Sequence, residues 1–140
     1  MPLSVTGYAG SVSHQRPTDR QRSQLGKTAY QDGLAAEDCV RRDYVSRGYR
    51  MLAERWRGKA GEADLIFQMA NTLVVVEVKK AASVDIAASR LSMRQLHRIA
   101  HTAEEYITKG DLDAFMPIRL DLAAVDAAGR VTTVENLTLW

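Results

Sequence analysis

The sequence predicts an α/β domain in which helices cover a mixed β-sheet of four or five strands. Two segments have the apolar spacing of helices, and several others have the alternation or short apolar runs of strands. One of the predicted strands is apolar on both faces, which is typical of a strand covered on both sides. The predicted order is one helix, three strands, a second helix and then one or two strands.

The size and composition indicate a single domain outside the membrane. The chain has 140 residues, enough for one domain and too few for two of ordinary size. Its longest apolar runs, such as residues 73–76, are far shorter than the roughly 20 residues of a membrane-spanning helix. No secretion signal is recognisable, and the single cysteine, Cys39, excludes an internal disulfide. We therefore expect a soluble cytoplasmic protein with no membrane partner.

The first part of the chain reads as a tail followed by a helix. Residues 1–25 are basic, rich in Ser, Thr, Gln and Gly, and show no apolar period, so we expect disorder there. The domain then covers residues 26–140. A helix is predicted for residues 29–46, because its apolar residues recur at three- and four-residue spacing, and Gly48 provides its end.

Three strands are predicted next, over residues 49–56, 63–69 and 72–79. Ala70 and Asn71 separate the last two strands and form a two-residue hairpin turn, in which Asn71 tolerates the left-handed conformation. This turn fixes the register of the hairpin.

The second half of the chain continues the alternation of helix and strand. Residues 81–88 read as a connection, and residues 89–108 as a helix that Gly110 ends. Residues 118–125 form an apolar, buried strand, and residues 131–139 a final edge strand.

Two acidic residues meet in the predicted hairpin. Counting back from the turn, Met69 lies opposite Thr72, and Asp64 lies opposite Glu77. Opposite residues of an antiparallel pair share one face, where like charges are destabilising. Lys79 is two residues beyond Glu77 and points to the same face. The acids need a positive charge, which Lys79 supplies in part and a divalent cation would supply more fully.

This arrangement predicts a site for Mg²⁺ or Mn²⁺, with Asp64 and Glu77 as ligands. Such an ion lowers the pKa of a bound water and polarises a phosphodiester. Lys79 would orient the attacking water or stabilise the charge that builds on the phosphate oxygens. The alternative is an ordinary salt-bridged strand end.

The two helices add a candidate each. Glu37 lies among apolar neighbours on the first helix, where it is either a further metal ligand or a boundary residue paired with Arg41 at i+4. Gln95, on the second helix, either contacts the scissile phosphate or is solvated.

Basic residues cluster in one stretch of the chain. Residues 41–59 carry seven basic and two acidic residues, a net charge of +5. This suits a polyanion such as nucleic acid, although a solvated arginine-rich surface would look the same. The candidate phosphate contacts are Arg41, Arg42, Arg50, Arg55, Arg57 and Lys59, together with Arg94 on the second helix.

These residues form a recognisable pattern, which covers roughly residues 26–126. It consists of Gly33-x-x-x-Glu37, Gly48-Tyr49, Gly61-Glu62-Ala63-Asp64, Val76-Glu77-Val78-Lys79 and Arg119-Leu120-Asp121. The pattern resembles the YraN-type family of uncharacterised bacterial proteins, which is similar to the restriction-endonuclease-like, PD-(D/E)XK superfamily of nucleases.

The resemblance implies a restriction-endonuclease-like core and a Mg²⁺- or Mn²⁺-dependent nuclease site. Asp64, Glu77 and Lys79 match the superfamily motif, and Glu37 matches the acid of the first helix. Relatives often carry lysine where this chain has Gln95, so a charge is lost there. DNA is the expected partner in preference to RNA, and a homodimer is compatible with the superfamily. The alternative is a catalytically inactive module that binds nucleic acid or protein on the same fold.

Overall fold

The computed structural model describes residues 18–137. The sheet lies within a compact unit that begins at residue 32. In chain order the elements are α1 (Asp19–Ser46), β1 (Arg50–Arg57), β2 (Glu62–Met69), β3 (Thr72–Lys80), α2 (Val84–Ser89), α3 (Met93–Lys109), β4 (Ile118–Val125) and β5 (Val131–Val134).

The strands form one mixed sheet of five strands in the order β1-β2-β3-β4-β5. β3 and β4 are parallel, and the other neighbours are antiparallel. The helices that lie between β3 and β4 in the chain, α2 and α3, form the crossover that a parallel connection requires. The predicted fold class is confirmed, and the architecture is consistent with a restriction-endonuclease-like core.

Apolar clusters lie on both faces of the sheet. The cluster on the α1 face contains Ala36, Val40, Tyr44, Tyr49, Leu65, Phe67, Val74, Val76, Ala123 and Val125. The cluster on the α3 face contains Ala63, Ile66, Leu73, Val75, Leu96, Ile99, Ala103, Ile107, Met116 and Leu120. Alternate residues of β3 belong to the two clusters, so this strand is buried on both faces as predicted.

The hairpin of β2 and β3 has the predicted register, because Met69 pairs with Thr72 across the turn. However, the left-handed residue of the turn is Ala70, with φ of +52°, whereas that conformation was assigned to Asn71. A non-glycine residue in this region carries strain of about 1–2 kcal/mol. The packing of the two strands therefore holds the register against a local cost.

The first helix begins earlier than predicted. α1 starts at Asp19, not at residue 29. The added segment is rich in Arg, Gln, Leu and Lys, which have high helix propensity. The predicted tail thus overlaps the helix from residue 19, and residues 1–17 lie outside the described residues.

The predicted connection at residues 81–88 is wrong over most of its length, because it contains α2. Ser83 caps α2, since its hydroxyl accepts the Ile86 N–H at 3.2 Å. Ser92 caps α3 in the same way by accepting the Gln95 N–H, so α3 begins at Met93 instead of residue 89. Both serines compete with a continuous helix by offering its first N–H groups a side-chain acceptor.

The last strand, β5, is shorter than predicted. β5 ends at Val134, and residues 138–140 of the predicted edge strand lie outside the described residues. In the part of the chain that the structure describes, no helix has the length and apolar character needed to cross a bilayer.

A buried acid, Asp121, connects β4 to α1 and to the segment that follows β5 through hydrogen bonds. The Asp121 side chain in β4 has no exposed surface, and it accepts hydrogen bonds from Tyr44 Oη at 2.7 Å and from the Asn136 N–H at 3.0 Å. Arg119 donates to the same carboxylate at 2.9 Å and to Tyr49 Oη at 2.6 Å. Burial and the Asp121 carboxylate raise the pKa of Tyr44 well above its ordinary value, so Tyr44 remains a donor.

Replacing Tyr44 by Phe should destabilise the protein, because one hydrogen bond to a buried carboxylate is lost. We expect the free energy of unfolding to fall by about 1.5–3 kcal/mol in urea denaturation. Tyr106→Phe is the control, since its hydroxyl bonds no described residue. An equal loss in both variants would contradict the role given to the Asp121 cluster.

Replacing Ala70 by Gly should stabilise the protein, because glycine adopts positive φ without steric strain. The expected gain in the free energy of unfolding is about 1 kcal/mol, again from urea denaturation. Ala82→Gly, at an exposed position outside the left-handed region, should instead lower the free energy of unfolding by a few tenths of a kcal/mol. A loss at both positions would show that the turn is unstrained.

Candidate active site

Strands β2 and β3 separate next to Asp64, and this point is called the fork below. The pairing of β2 with β3 ends at Leu65 and Val76, whereas the pairing of β3 with β4 continues to Lys80. Past the fork, the N–H of Val78 has no β2 carbonyl, and the Asp64 carboxylate accepts it at 2.8 Å. The side chain therefore replaces a backbone acceptor at the point where the two strands separate.

Asp64 and Glu77 meet at this fork, as the register of the hairpin predicts. The two carboxyl groups lie within electrostatic range of each other, since the charge of Asp64 contributes to the raised pKa of Glu77. Burial, and then the charge of Asp64, raise the pKa of Glu77 to about 8. Burial also raises the pKa of Asp64, although the Val78 N–H opposes the rise. The pair thus retains a proton near neutral pH because positive charge is scarce around it.

Two further predicted residues reach Glu77. Lys79 Nζ lies 3.7 Å from Glu77 Oε1, with about a quarter of the lysine side chain exposed. Gln95, in the first turn of α3, places Nε2 at 3.4 Å from the same oxygen. Of the two alternatives given for Gln95, solvation does not hold, because α3 packs over this face of β3 and brings the amide to Glu77. The predicted contact of Gln95 with a scissile phosphate stays a prediction.

Glu37 lies near the pair but has a partner of its own. The charge of Glu37 contributes to the raised pKa of Asp64, which places the two in electrostatic range. Glu37 Oε1 accepts a hydrogen bond from Arg55 Nε at 2.8 Å. Its predicted i+4 partner, Arg41, pairs instead with Asp38 and Glu54. The interpretation of Glu37 as a boundary residue paired with Arg41 is therefore wrong.

The acid pair has the chemistry of a Mg²⁺ or Mn²⁺ site. Mg²⁺ binds through one or two carboxylates and keeps several waters or phosphate oxygens as its other ligands. Within residues 18–137, no group of three or more His, Cys, Asp and Glu side chains is placed to hold one metal ion. Asp64 and Glu77 fit the carboxylate part of such a two-carboxylate site, because the raised pKa of both groups reflects a shortage of positive charge. Glu37 lies outside this set in the present conformation.

Most of the predicted phosphate contacts are engaged within the chain. Ion pairs join Arg42 to Asp38 at 3.1 Å and Arg57 to Glu62 at 3.2 Å, and Arg41 and Arg55 are paired as described above. The candidates without an ion pair to any described residue are Arg50, Lys59 and Arg94, all of them exposed. The local excess of positive charge is therefore smaller than the sequence indicates.

Glu105 of α3 is a site residue that the sequence analysis missed. Its carboxylate accepts the N–H groups of Lys59 and Ala60 at 2.8 and 3.1 Å, in the loop that leads into β2. These N–H groups lower the pKa of Glu105. A Cβ on Gly58 would collide with the same carboxylate, so a larger residue there would have to displace the Glu105 side chain. Because its partners are backbone groups, no residue pattern signals this contact.

Aromatic packing fixes the same loop from the side. Trp56 of β1 meets Tyr106 of α3 edge to face, with ring centroids 5.2 Å apart. Lys109 Nζ lies 5.7 Å from the centre of the Trp56 ring and 3.3 Å from Glu105. The start of β2, and with it Asp64, is thereby tied to α3.

Comparisons with known proteins show the family to which the chain belongs. Residues 36–125 match the model of a family described as "Uncharacterised protein family UPF0102". A UPF0102 protein of Roseobacter denitrificans is 43% identical over 122 residues, 87% of this chain and 95% of that protein. One from Dinoroseobacter shibae is 43% identical over 123 residues, 88% and 92% of the two chains. The chain is therefore a member of the uncharacterised family UPF0102, the YraN-type family that its motifs resemble.

Proposed function

We propose that this protein is a Mg²⁺- or Mn²⁺-dependent nuclease that hydrolyses phosphodiester bonds, with DNA as the favoured substrate. The observation that carries the proposal is the buried acid pair of Asp64 and Glu77, with Lys79 beside it. Two interacting carboxyl groups in a largely buried place are costly to ionise unless a cation compensates their charge, and such perturbed groups concentrate at functional sites.

Each residue of the site has a role in this proposal. A bound Mg²⁺ or Mn²⁺ would supply Lewis-acid polarisation of the phosphodiester and a lowered pKa for water. Asp64 and Glu77 would hold the ion, and Asp64 is fixed for this by the Val78 N–H. Lys79 would stabilise negative charge as it develops on the phosphate oxygens. Gln95 would orient Glu77 through its amide.

A second candidate function is binding of nucleic acid without cleavage. The observation that favours it is Gln95, a neutral amide that contacts Glu77 and brings no positive charge to the acid pair. Binding through phosphate contacts would lose affinity with salt, by about 0.9 in the logarithmic slope for each contact on duplex DNA. Salt-sensitive binding of DNA that stays intact in Mg²⁺ would support this candidate over the nuclease.

The nuclease proposal predicts metal-dependent cleavage that requires the acid pair. Asp64→Asn and Glu77→Gln should each lower the rate by about 10²-fold or more, because each removes a ligand charge. Cleavage of duplex, single-stranded and branched DNA, and of RNA, is measured in Mg²⁺, in Mn²⁺ and in EDTA. Asparagine is used at position 64 because its carbonyl still accepts the Val78 N–H.

Glu104→Gln is the matched control, since Glu104 is exposed on α3 and pairs only with His101 among the described residues. It should leave the rate unchanged. A parent protein that is inactive on every substrate, or an Asp64→Asn variant as active as the parent, would overturn the proposal.

The acid pair also predicts how stability depends on pH. The pKa of Glu77 is raised by folding, so the folded state holds a proton that the unfolded state releases above about pH 4.5. This contribution to stability is complete below that pH and is lost as the pH rises through about 8. In EDTA, the free energy of unfolding should fall by on the order of 1 kcal/mol per pH unit in this range.

Glu77→Gln isolates this effect, because the amide does not titrate. Denaturation of the two proteins between pH 5 and 9 should show the slope in the parent and its reduction in the variant. Mn²⁺ should raise the melting temperature of the parent more at pH 8 than at pH 5.5, since it competes with the proton. Equal slopes in the two proteins would contradict the assignment of the proton to Glu77.

A further inference from the structure

Arg55 has a backbone conformation that is unusual for a strand. Its φ is +48°, in the left-handed region, although the residues on either side pair with β2 as strand residues. Glu54 pairs with Leu65 and Trp56 pairs with Ala63. A strained non-glycine residue inside a strand persists only when its surroundings hold it there, and such residues concentrate at functional sites.

The position of this strain coincides with the fork. The register of β1 and β2 places Arg55 opposite Asp64, and this is the pair that the ladder omits. The backbone at Arg55 therefore breaks the pairing of β1 with β2 beside Asp64, where the pairing of β2 with β3 also ends. Asp64 therefore belongs to neither ladder, although β1 and β2 pair again at Trp56 and Ala63.

The side chain of Arg55 reaches the acid of α1. Its Nε donates to Glu37 Oε1 at 2.8 Å, and about a third of the arginine side chain and a sixth of the glutamate side chain are exposed. Glu37 is close enough to raise the pKa of Asp64. Yet Glu37, Asp64 and Glu77 do not form a set that could hold one ion, within residues 18–137. The third acid is near the site and held apart from it.

We propose that Arg55 is a positioning residue that withholds Glu37 from the metal site, so that the guanidinium and a divalent cation compete for one carboxylate. This inference rests on the proposed metal site of Asp64 and Glu77. Breaking the Arg55–Glu37 pair then forms part of metal binding and lowers the affinity of the free protein for the ion. Once the pair is removed, Glu37 becomes the third acid of the site.

The test is the affinity of the full chain for Mn²⁺ alone, measured by titration calorimetry or from the free-ion EPR signal at pH 8. Arg55→Asn removes the guanidinium and keeps a residue that tolerates the left-handed conformation. We expect its dissociation constant for Mn²⁺ to be about three- to tenfold lower than that of the parent. Arg55→Gly adopts the same φ without strain and should show the same gain, so misfolding of one variant does not decide the result.

Two controls separate this competition from a general effect of charge. Arg57→Gln removes one positive charge and its ion pair with Glu62 from the same strand, two residues away, and measures the change that these losses produce without involving Glu37. Glu37→Gln removes the carboxylate for which the competition occurs. Adding Arg55→Asn to Glu37→Gln should therefore change the Mn²⁺ affinity no more than Arg57→Gln does in the parent.

The outcomes are distinct. A gain in Arg55→Asn that disappears in the Glu37→Gln background supports the proposal. A gain that persists in that background, or an unchanged or weaker affinity, overturns it while leaving the metal site of Asp64 and Glu77 in place. Absence of Mn²⁺ binding in the parent and in Arg55→Asn overturns this inference together with the metal dependence of the proposed function.

Discussion

A backbone N–H inside a sheet must find an acceptor, and at Val78 that acceptor is the carboxylate of Asp64. This bond lets β2 separate from β3 without leaving the amide unpaired, while β3 remains joined to β4 as far as Lys80. Glu77, its lysine neighbour and the amide of α3 meet in the gap that results. The architecture and the electrostatics of the site therefore depend on the same side chain.

Two buried acids on neighbouring strands, Asp121 and Glu77, differ in whether the groups around them compensate the negative charge. Asp121 accepts four hydrogen bonds, two of them from the guanidinium of Arg119, and its charge is fully compensated. Glu77 and Asp64 share one ammonium group, and Glu77 keeps its proton to about pH 8. Only the second arrangement has an unmet demand for positive charge, which distinguishes a candidate site from a buried support of the fold.

The parts of the site that lie in the β2–β3 hairpin could be predicted, because a two-residue turn sets the register of every pair behind it. Asp121 had a weaker signal, a lone acid within an apolar strand. The sequence carries no signal for the conformation of Arg55, since alternation of apolar and polar residues does not reveal a positive φ. Glu105 was equally hidden because it binds backbone groups. The serine caps of α2 and α3 were visible in the sequence, but the apolar periodicity outweighed them in the prediction.

The edge-to-face contact of Trp56 with Tyr106 has a consequence for observing this molecule at work. Trp56 directly follows Arg55 in β1 and lies against the helix that carries Gln95 and Glu105. The chain contains two tryptophans, so one of its two indole fluorophores lies next in sequence to the strained arginine. Changes in emission intensity or wavelength, followed in a stopped-flow instrument, would give the time course of rearrangement at this strand without any attached dye.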